Sequence, residues 1–125
     1  MNNYPLGDFL IRVKNAAMAG AKDFSVPSTK LVYEVAKVLK KNGILSEVKK
    51  KENILDLRIA YHKKEPVLVN MKLVSKPGLR VYKNVDELQK HKGVSYFILT
   101  TSQGIMTSKD ALKEGIGGEA IVEIW

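Results

Sequence analysis

The sequence predicts an α/β protein of the α+β type, divided into two small lobes. The first half alternates helical and strand patterns, and the second half is rich in strand patterns. Between them lies His62–Pro66, a charged stretch closed by proline, which is typical of a boundary. We therefore predict an N-terminal α/β lobe at residues 1–65 and a C-terminal β-rich lobe at residues 66–125. The chain has 125 residues and a hydrophobic fraction of 45%, which is enough for two small cores.

Two amphipathic helices are predicted in the N-terminal lobe. Apolar residues spaced three and four apart predict the first helix over about residues 6–18. Ser28 or Thr29 is placed to cap the second helix, which runs to Asn42 and ends at Gly43. The predicted apolar stripe of this second helix consists of Leu31, Val32, Val35, Val38 and Leu39.

The strands of this lobe follow from period-two patterns. A short extended piece at residues 22–27 joins the helices, and residues 44–48 predict a strand. Lys49–Asn53 is predicted to be the turn into a second strand at residues 54–61, where apolar and polar residues alternate. The lobe therefore has the order helix, strand, helix, strand, strand, with both helices on one face of a small sheet.

The C-terminal lobe is predicted to be mostly strand. Strands are expected at residues 67–73, 79–82, 96–99 and 119–125, and residues 84–92 are expected to form a loop with one helical turn. Pro77 and Gly78 stand where a type II turn requires them. Thr107 with Asp110 resembles a capping box that opens a short helix, and Gly115 ends it. On one face of the first of these strands we expect Val67, Val69, Met71 and Leu73.

The charge of the chain indicates a polyanionic partner. It carries 21 Lys+Arg against 13 Asp+Glu, a formal net charge of +8, which favours nucleic acid over a charge that serves solubility alone. Residues 1–65 hold most of this surplus, with 13 Lys+Arg and 7 Asp+Glu. No apolar run is long enough to cross a membrane, and Met1–Pro5 lacks the pattern of a secretion signal. We therefore expect a cytoplasmic protein with no membrane partner.

Several chemical functions are excluded or disfavoured. The chain has no cysteine, which excludes disulfides, zinc ribbons and thiol catalysis. His62 and His91 each lie beside lysine and are predicted to be exposed loop residues without a metal ion. There is no phosphate-binding loop. We expect no enzyme activity, no cofactor and no small-molecule substrate, although a hydrolase or transferase using Ser102 remains the rival of that class.

Two features point to RNA. Lysines are clustered at Lys49–Lys51 and along the second helix, where phosphate contact and a solvated face are equally good interpretations. The segment Thr100–Gly104 places hydroxyl and amide groups after a buried strand, and such short groups can contact a base edge or a ribose 2′-hydroxyl. Serine, threonine and glycine are also ordinary turn residues, so composition alone leaves both interpretations open.

Four segments in order resemble one family over essentially the whole chain. They are Pro5–Ala16, Val26–Lys30, Ser75–Tyr82, and Leu99–Thr107 continued by Gly117–Trp125. The sequence resembles the bacterial ribosomal protein family numbered eight in the small subunit (S-eight). This resemblance implies a structural constituent of the 30S subunit that binds the central domain of 16S rRNA directly and supports subunit assembly. It also implies translational autoregulation, and neighbouring small-subunit proteins, S-five and S-two, as partners.

The resemblance further implies which residues contact RNA. Thr100, Thr101 and Ser102 match a family loop that contacts exposed adenines, Gly104 allows a close approach of the backbone, and Glu119 matches a glutamate near the same pocket. The complete predicted set is Thr100, Thr101, Ser102, Gln103, Gly104, Glu119, Tyr82, Lys83, Arg12, Asn15, Thr29 and Lys30.

This chain departs from the family pattern at two of these positions. Thr100 stands where the family usually has serine, and Gln103 stands where it usually has lysine. The alternative to a site-specific rRNA protein is a general structured-RNA-binding module without a fixed site.

Overall fold

The structure is a computed structural model that describes residues 4–125. Residues 1–3 lie outside the described residues. They belong to the stretch Met1–Pro5, on which the prediction of no secretion signal rests. The chain forms two compact units, one ending at Val69 and the other spanning Asn70–Trp125. Helices and strands occur together in both units, which confirms the α+β fold class.

From residue 4 to Val69, the N-terminal unit has two helices and two small antiparallel sheets. Its elements are α1 (Pro5–Met18), β1 (Asp23–Pro27), α2 (Lys30–Lys41), β2 (Leu45–Lys51), β3 (Ile54–Ile59), β4 (Tyr61–His62) and β5 (Glu65–Pro66). The main sheet has the order β1-β3-β2, and β4 pairs with β5. The predicted order of helix, strand, helix, strand, strand is confirmed as far as β3.

The core of this unit comes from the helical stripes and the alternating strand residues. The helices bury Leu6, Phe9, Leu10, Val13, Ala17, Val32, Val35, Ala36 and Leu39. Leu31 is 41% exposed, so its predicted place in the stripe is wrong. The buried residues of α2 still follow the spacing of three and four. Compared with the predicted stripe, the buried face includes Ala36 and excludes Leu31.

The lysines at 49–51 belong to β2, so the prediction that they form a turn is wrong. Lys51 is opposite Ile54, and only Glu52 and Asn53 lie between the two strands. Glu52 has a φ of 51°, the left-handed conformation that tight turns between strands require. A two-residue turn therefore extends the strand pairing through the whole lysine run.

The division between the units lies four residues beyond the predicted one, after Val69 rather than after Glu65. Glu65 and Pro66 pair with His62 and Tyr61, and the Val67 amide donates to the Ala60 carbonyl at 3.0 Å. These bonds attach residues 65–67 to the first unit. Val67 and Val69 are 41% and 70% exposed, so the prediction that they lie in the first strand of the C-terminal lobe is wrong.

The C-terminal unit is a five-stranded antiparallel sheet with two short helices. Its elements are β6 (Met71–Leu73), β7 (Tyr82–Lys83), α3 (Val85–Lys90), β8 (Tyr96–Thr101), β9 (Gly104–Thr107), α4 (Ser108–Glu114) and β10 (Gly118–Ile124). The strand order is β6-β10-β8-β9, and β7 also pairs with β10. One core cluster joins the sheet to both helices and contains Leu88, Phe97, Leu99, Ala111 and Ala120.

Local signals of turns and helix ends are confirmed in this unit. Gly78 has a φ of 83° and follows Pro77 in the turn. The Thr107 hydroxyl accepts from the Asp110 amide at 3.3 Å, and Gly115 ends α4 at a φ of 69°. The segment expected as a loop with one turn is α3, which begins with a capping box between Asn84 and Glu87.

The strand expected at residues 79–82 is displaced. Leu79 is 63% exposed and forms only an isolated bridge with Lys76, and β7 begins at Tyr82. The prediction of a strand over 79–81 is therefore wrong, because the pairing of Lys76 with Leu79 closes the Pro77–Gly78 turn instead.

Strand β10 contains a bulge that changes which face its residues occupy. Ala120 is opposite Leu99, but Val122 is opposite Ile98, so one extra residue stands on β10 at this point. A regular strand would place Glu119 and Glu123 on one face because they are four residues apart. The bulge moves them to opposite faces, with Glu119 opposite Thr100 and Glu123 opposite Phe97.

Candidate nucleic-acid interface

The segment 100–104 forms the tip of the β8–β9 hairpin. Thr100 and Thr101 end β8, Gly104 begins β9, and Ser102 and Gln103 form the turn. The Thr101 hydroxyl donates to the Gly104 carbonyl at 2.8 Å and accepts from the Gln103 amide at 3.1 Å. Its proton is therefore engaged in holding the turn, and Thr101 shapes the tip.

Two other hydroxyls of the hairpin are available to a ligand. Within residues 4–125, neither the Thr100 nor the Ser102 hydroxyl makes a hydrogen bond, and Ser102 is exposed. A hydroxyl both donates and accepts, so each can pair with a base edge or a ribose. Of the three predicted hydroxyls, that of Thr101 therefore holds the turn, and those of Thr100 and Ser102 are left without a partner among residues 4–125.

Gly104 is required by backbone conformation. Its φ is 113°, and an added Cβ would meet nothing within 4 Å in the chain. Residues with a side chain rarely adopt this conformation, so the turn itself explains the glycine. Close approach between backbones of the chain occurs at two other glycines, Gly117 and Gly118, which the site prediction did not include.

A row of four side chains crosses one face of the C-terminal sheet at this end. Tyr82 is opposite Glu119, Glu119 is opposite Thr100, and Thr100 is opposite Ile105. Directly opposed residues of antiparallel strands project from the same face. We call Tyr82, Glu119, Thr100 and Ile105 the cross-strand row. Strand pairing therefore brings together three predicted site residues from three separate parts of the sequence.

Tyr82 and Glu119, neighbours in the cross-strand row, differ in exposure and chemistry. The Tyr82 side chain is 67% exposed, which leaves its ring available for stacking. Glu119 is only 19% exposed, and its Oε2 accepts from Nη1 of Arg80 at 3.2 Å. This ion pair reduces the repulsion that the carboxylate would exert on a polyanion and leaves Oε1 as an acceptor.

Arg80 is therefore part of the site, although the sequence prediction omitted it. The signal that identifies it is its position two residues before Tyr82, because extended residues two apart project to the same side. Its partner Glu119 is 39 residues away in the sequence, so the pairing itself requires the fold.

Backbone contact at Gly118 fixes the distance between Glu119 and Thr100. An added Cβ at Gly118 would collide with the Thr100 carbonyl oxygen, and one at Gly117 would collide with the Lys83 carbonyl oxygen. Only glycine allows three backbones to approach this closely. The two glycines therefore set the spacing of β7, β10 and β8 where the cross-strand row lies.

Lys83 is separated from the other predicted site residues of this unit. It is opposite Gly118 and projects to the face opposite Tyr82, because neighbouring strand residues alternate. Its Nζ lies 5.3 Å from the centroid of the Phe97 ring. Tyr82 and Lys83 are therefore adjacent in the sequence but lie on opposite faces of the sheet.

In the N-terminal unit, two predicted site residues line one cleft. Arg12 and Thr29 border a cleft of about 430 Å³ between α1 and the β1–α2 junction. Nη1 of Arg12 donates to the Ser25 carbonyl at 2.9 Å. The Thr29 hydroxyl accepts from the Val32 amide at 3.1 Å, which makes it the N-cap of α2. Asn15 and Lys30 are both exposed, on α1 and at the start of α2.

Three of the clustered lysines form ion pairs with acidic residues of the chain. Lys49 pairs with Glu47 at 3.1 Å, Lys51 pairs with Asp56 at 3.0 Å, and Lys37 pairs with Glu34 at 3.3 Å. These pairs are exposed and contribute little stability each. They do neutralise part of the positive charge that the lysine run presents, so the run is a weaker phosphate site than its sequence indicates.

The Asp56 carboxylate is the centre of a small polar network on β1, β2 and β3. It accepts from the Ser25 hydroxyl at 2.6 Å and pairs with Lys51. The hydrogen bond from Ser25, followed by that from Lys51, lowers the pKa of Asp56 below its ordinary value of 3.8. Nearby, Asp23 and Glu47 raise the pKa of Arg58 above its ordinary value.

Among residues 4–125, no histidine or carboxylate forms a hydrogen bond with the Ser102 hydroxyl. His62 is exposed on β4, whereas His91 is half-buried beside Phe97, so the prediction of an exposed loop is wrong for His91. Nε2 of His91 lies 2.9 Å from the Ser95 hydroxyl, not from Ser102. No group of His, Asp or Glu within residues 4–125 can hold a metal ion. None of the helices described for residues 4–125 has the length and apolar character needed to cross a membrane.

The fold and site define a basic α+β protein that exposes uncharged hydroxyls and a tyrosine ring on one sheet face. The model of the family described as Ribosomal protein S8 matches residues 4–125. The small ribosomal subunit protein uS8 of Prochlorococcus marinus (strain MIT 9301) is 39% identical, over 99% of this chain and 98% of its own length. That of Trichodesmium erythraeum (strain IMS101) is 40% identical, over 98% of each chain. That of Enterococcus faecalis (strain ATCC 700802 / V583) is 37% identical, over 97% and 96%.

The chain therefore belongs to the ribosomal protein S8 family. This confirms the family inferred from the sequence. The family is one of structural components of the cytoplasmic ribosome and is not a family of enzymes.

Proposed function

We propose that this chain binds the central domain of 16S rRNA directly and supports assembly of the 30S subunit. The cross-strand row carries this proposal, because it presents hydrogen-bonding groups and an aromatic ring, and Arg80 balances the charge of its single carboxylate, Glu119. Base-specific RNA contacts use such groups on single-stranded or irregular segments, where bases are accessible. Charged contacts to phosphates, by contrast, hold RNA without selecting a sequence.

In this proposal, residues of the C-terminal unit select the RNA site. The Thr100 and Ser102 hydroxyls pair with base edges or 2′-hydroxyls, and Tyr82 stacks on an unpaired base. Oε1 of Glu119 accepts from a base amino group, while Arg80 holds Oε2. Thr101, Gln103 and Gly104 keep the hairpin tip in shape, through the bonds to the Thr101 hydroxyl.

The N-terminal unit is proposed to supply phosphate contacts that are independent of sequence. Arg12 has further guanidinium donors beyond the one bonded to Ser25, and Lys30 is exposed without an ion pair within the described residues. Asn15 and Thr29 lie close in the sequence to these cations, on α1 and at the cap of α2. Each phosphate contact releases counterions and makes affinity depend on salt.

The experiment that tests this function compares two RNAs across a salt series. The full chain is titrated with a fragment of the 16S central domain and with a scrambled RNA of the same length. We expect the fragment to bind more tightly at every salt concentration, with similar salt slopes for the two RNAs. Equal affinities would leave a general structured-RNA-binding module and exclude a fixed site.

Two further parts of the function are proposed by family membership. The chain contacts the neighbouring small-subunit proteins S-five and S-two, and it represses its own operon by binding a messenger segment that resembles the rRNA site. If so, the central-domain fragment competes with that messenger segment for the cross-strand row, and Ser102→Ala weakens both complexes equally.

A further inference from the structure

A groove lined by lysines lies in the C-terminal unit, apart from the cross-strand row. It has a volume of about 310 Å³, and its charged residues are Lys72, Lys76, Lys83 and Glu123. Leu73, Val74, Leu79 and Phe97 form its apolar walls. We call this cavity and its lining residues the lysine groove.

Strand pairing places the lysine groove on the sheet face opposite the cross-strand row. Lys72, Glu123 and Phe97 are opposed across β6, β10 and β8, so they project from one face. Phe97 and Thr100 are three residues apart on β8, which puts them on opposite faces. Lys83, which projects away from Tyr82, lines this groove.

The cations of the groove are not neutralised by the chain. Within residues 4–125, the ammonium groups of Lys72 and Lys76 make no ion pair or hydrogen bond, and both side chains are exposed. Lys83 contacts only the face of the Phe97 ring. In the lysine runs of the N-terminal unit, by contrast, Lys49 and Lys51 have acidic partners.

The acidic residue of the groove is occupied by a hydrogen bond. Oε2 of Glu123 accepts from the Ser95 hydroxyl at 2.6 Å. Because that hydroxyl has a single proton, Nε2 of His91 must donate to the Ser95 oxygen, 2.9 Å away. This chain of bonds orients the Glu123 carboxylate toward Ser95, and the three lysines leave the groove with a positive charge.

We propose that the lysine groove binds the sugar-phosphate backbone of a second RNA segment, distinct from the segment at the cross-strand row. Lysine ammonium groups act as point charges for phosphate, and the apolar walls suit the carbon face of ribose. The groove has none of the free hydroxyl or amide groups that select a base, so it binds without regard to sequence. The proposal rests on the proposed function only in taking RNA as the polyanion.

The test compares two charge-matched double variants of the full chain. One is Lys72→Gln with Lys76→Gln, and the control is Lys109→Gln with Lys113→Gln, both exposed lysines on α4 of the same unit. Each lost phosphate contact should reduce the steepness of log affinity against log salt by about 0.7 to 0.9. The groove variant, which loses two contacts, should therefore reduce it by roughly 1.4 to 1.8 with both the 16S fragment and the scrambled RNA. The control variant should leave the slope unchanged. Equal slopes for the groove variant and the wild type would overturn the proposal.

A second measurement detects the contact directly. Lysine acetylation is followed by mass spectrometry in the free chain and in each RNA complex, and we expect Lys72 and Lys76 to be protected while Lys109 and Lys113 stay reactive. Full reactivity of Lys72 and Lys76 in both complexes would show that RNA does not occupy the groove. The scrambled RNA also contacts the groove if the proposal is right. A result against the groove can therefore be distinguished from a result against the proposed function, which would be equal affinity for the 16S fragment and the scrambled RNA.

Discussion

Replacing Gly118 with alanine tests whether the spacing of the cross-strand row determines RNA site choice. The added Cβ collides with the Thr100 carbonyl oxygen, which is backbone and cannot rotate away. Strand β10 must therefore shift relative to β8 at the position where Glu119 is opposite Thr100. Overpacking of this kind costs about 1–3 kcal/mol in the free energy of unfolding. At about 4 °C per kcal/mol, the melting temperature should fall by about 4–12 °C.

The effect on binding follows from the same displacement. Losing one well-aligned hydrogen bond costs about 0.5–1.5 kcal/mol, so the preference for the 16S fragment over scrambled RNA should fall about two- to thirteenfold. Binding is measured at a temperature where circular dichroism shows the variant to be folded. The salt slope should not change, because no charge is removed.

Gly115→Ala is the matched control for this variant. Gly115 has a φ of 69° at the end of α4, and its Cβ would meet nothing within 4 Å. The substitution therefore costs about 1–2 kcal/mol through backbone strain and leaves β10 and β8 in place. Gly115→Ala should keep the wild-type preference for the 16S fragment over the scrambled RNA. If Gly118→Ala were destabilised but kept that preference too, the reasoning about the spacing of the cross-strand row would be refuted.

Three further predictions concern single side chains. Thr29→Ala should lower the free energy of unfolding by about 1 kcal/mol, measured by urea denaturation, because it removes the N-cap of α2, and Thr29→Ser should restore most of it. Asp56→Asn should remove part of the acid dependence of stability: the folded pKa of Asp56 is lowered, so its contribution is present above its ordinary value of 3.8 and is lost as the pH falls through the lower folded value. Equal pH profiles for this variant and the wild type would contradict that assignment. Arg80→Ala should weaken binding to both RNAs, and the loss of affinity should be larger for the 16S fragment, because the Glu119 carboxylate then faces RNA without its cation. Combining Glu119→Gln with Arg80→Ala should recover part of the lost affinity.

Local signals made much of the fold predictable from the sequence. Helix α2 has its cap at Thr29, and α4 ends at Gly115, because capping and left-handed glycines depend on a few neighbouring residues. Strand β3 was predictable for the same reason, since its alternation records one buried face.

Partners distant in the sequence decide other features of the site, which the sequence alone does not specify. The bulge in β10 exists only through pairing with β8, and it alone sends Glu123 to the face of Lys72 rather than that of Glu119. A period-two pattern therefore could not place Lys83 and Glu123 in a common groove. The family resemblance named Tyr82, Thr100 and Glu119 from separate parts of the sequence, but the sheet face and spacing of these residues required the register of the sheet.

The predicted hydroxyl segment illustrates what a sequence can and cannot assign. Its composition indicated hydrogen-bonding capacity, and three hydroxyls seemed equivalent in the sequence. The hairpin geometry separates them, because the Thr101 hydroxyl bonds to Gly104 and those of Thr100 and Ser102 make no bond among residues 4–125. The hydroxyl that holds the turn is therefore the one that bonds to Gly104, whose φ is 113°.

The central claim, that uncharged hydroxyls choose the RNA site, is tested most directly by the ratio of affinities for the 16S fragment and the scrambled RNA. The ratio is measured for the wild type, Ser102→Ala and Thr100→Val at several salt concentrations. One lost hydrogen bond costs about 0.5–1.5 kcal/mol, so each variant should lower the ratio about two- to thirteenfold, with the salt slope unchanged. An unchanged ratio in both variants would contradict the claim and leave the charged residues as the whole basis of binding.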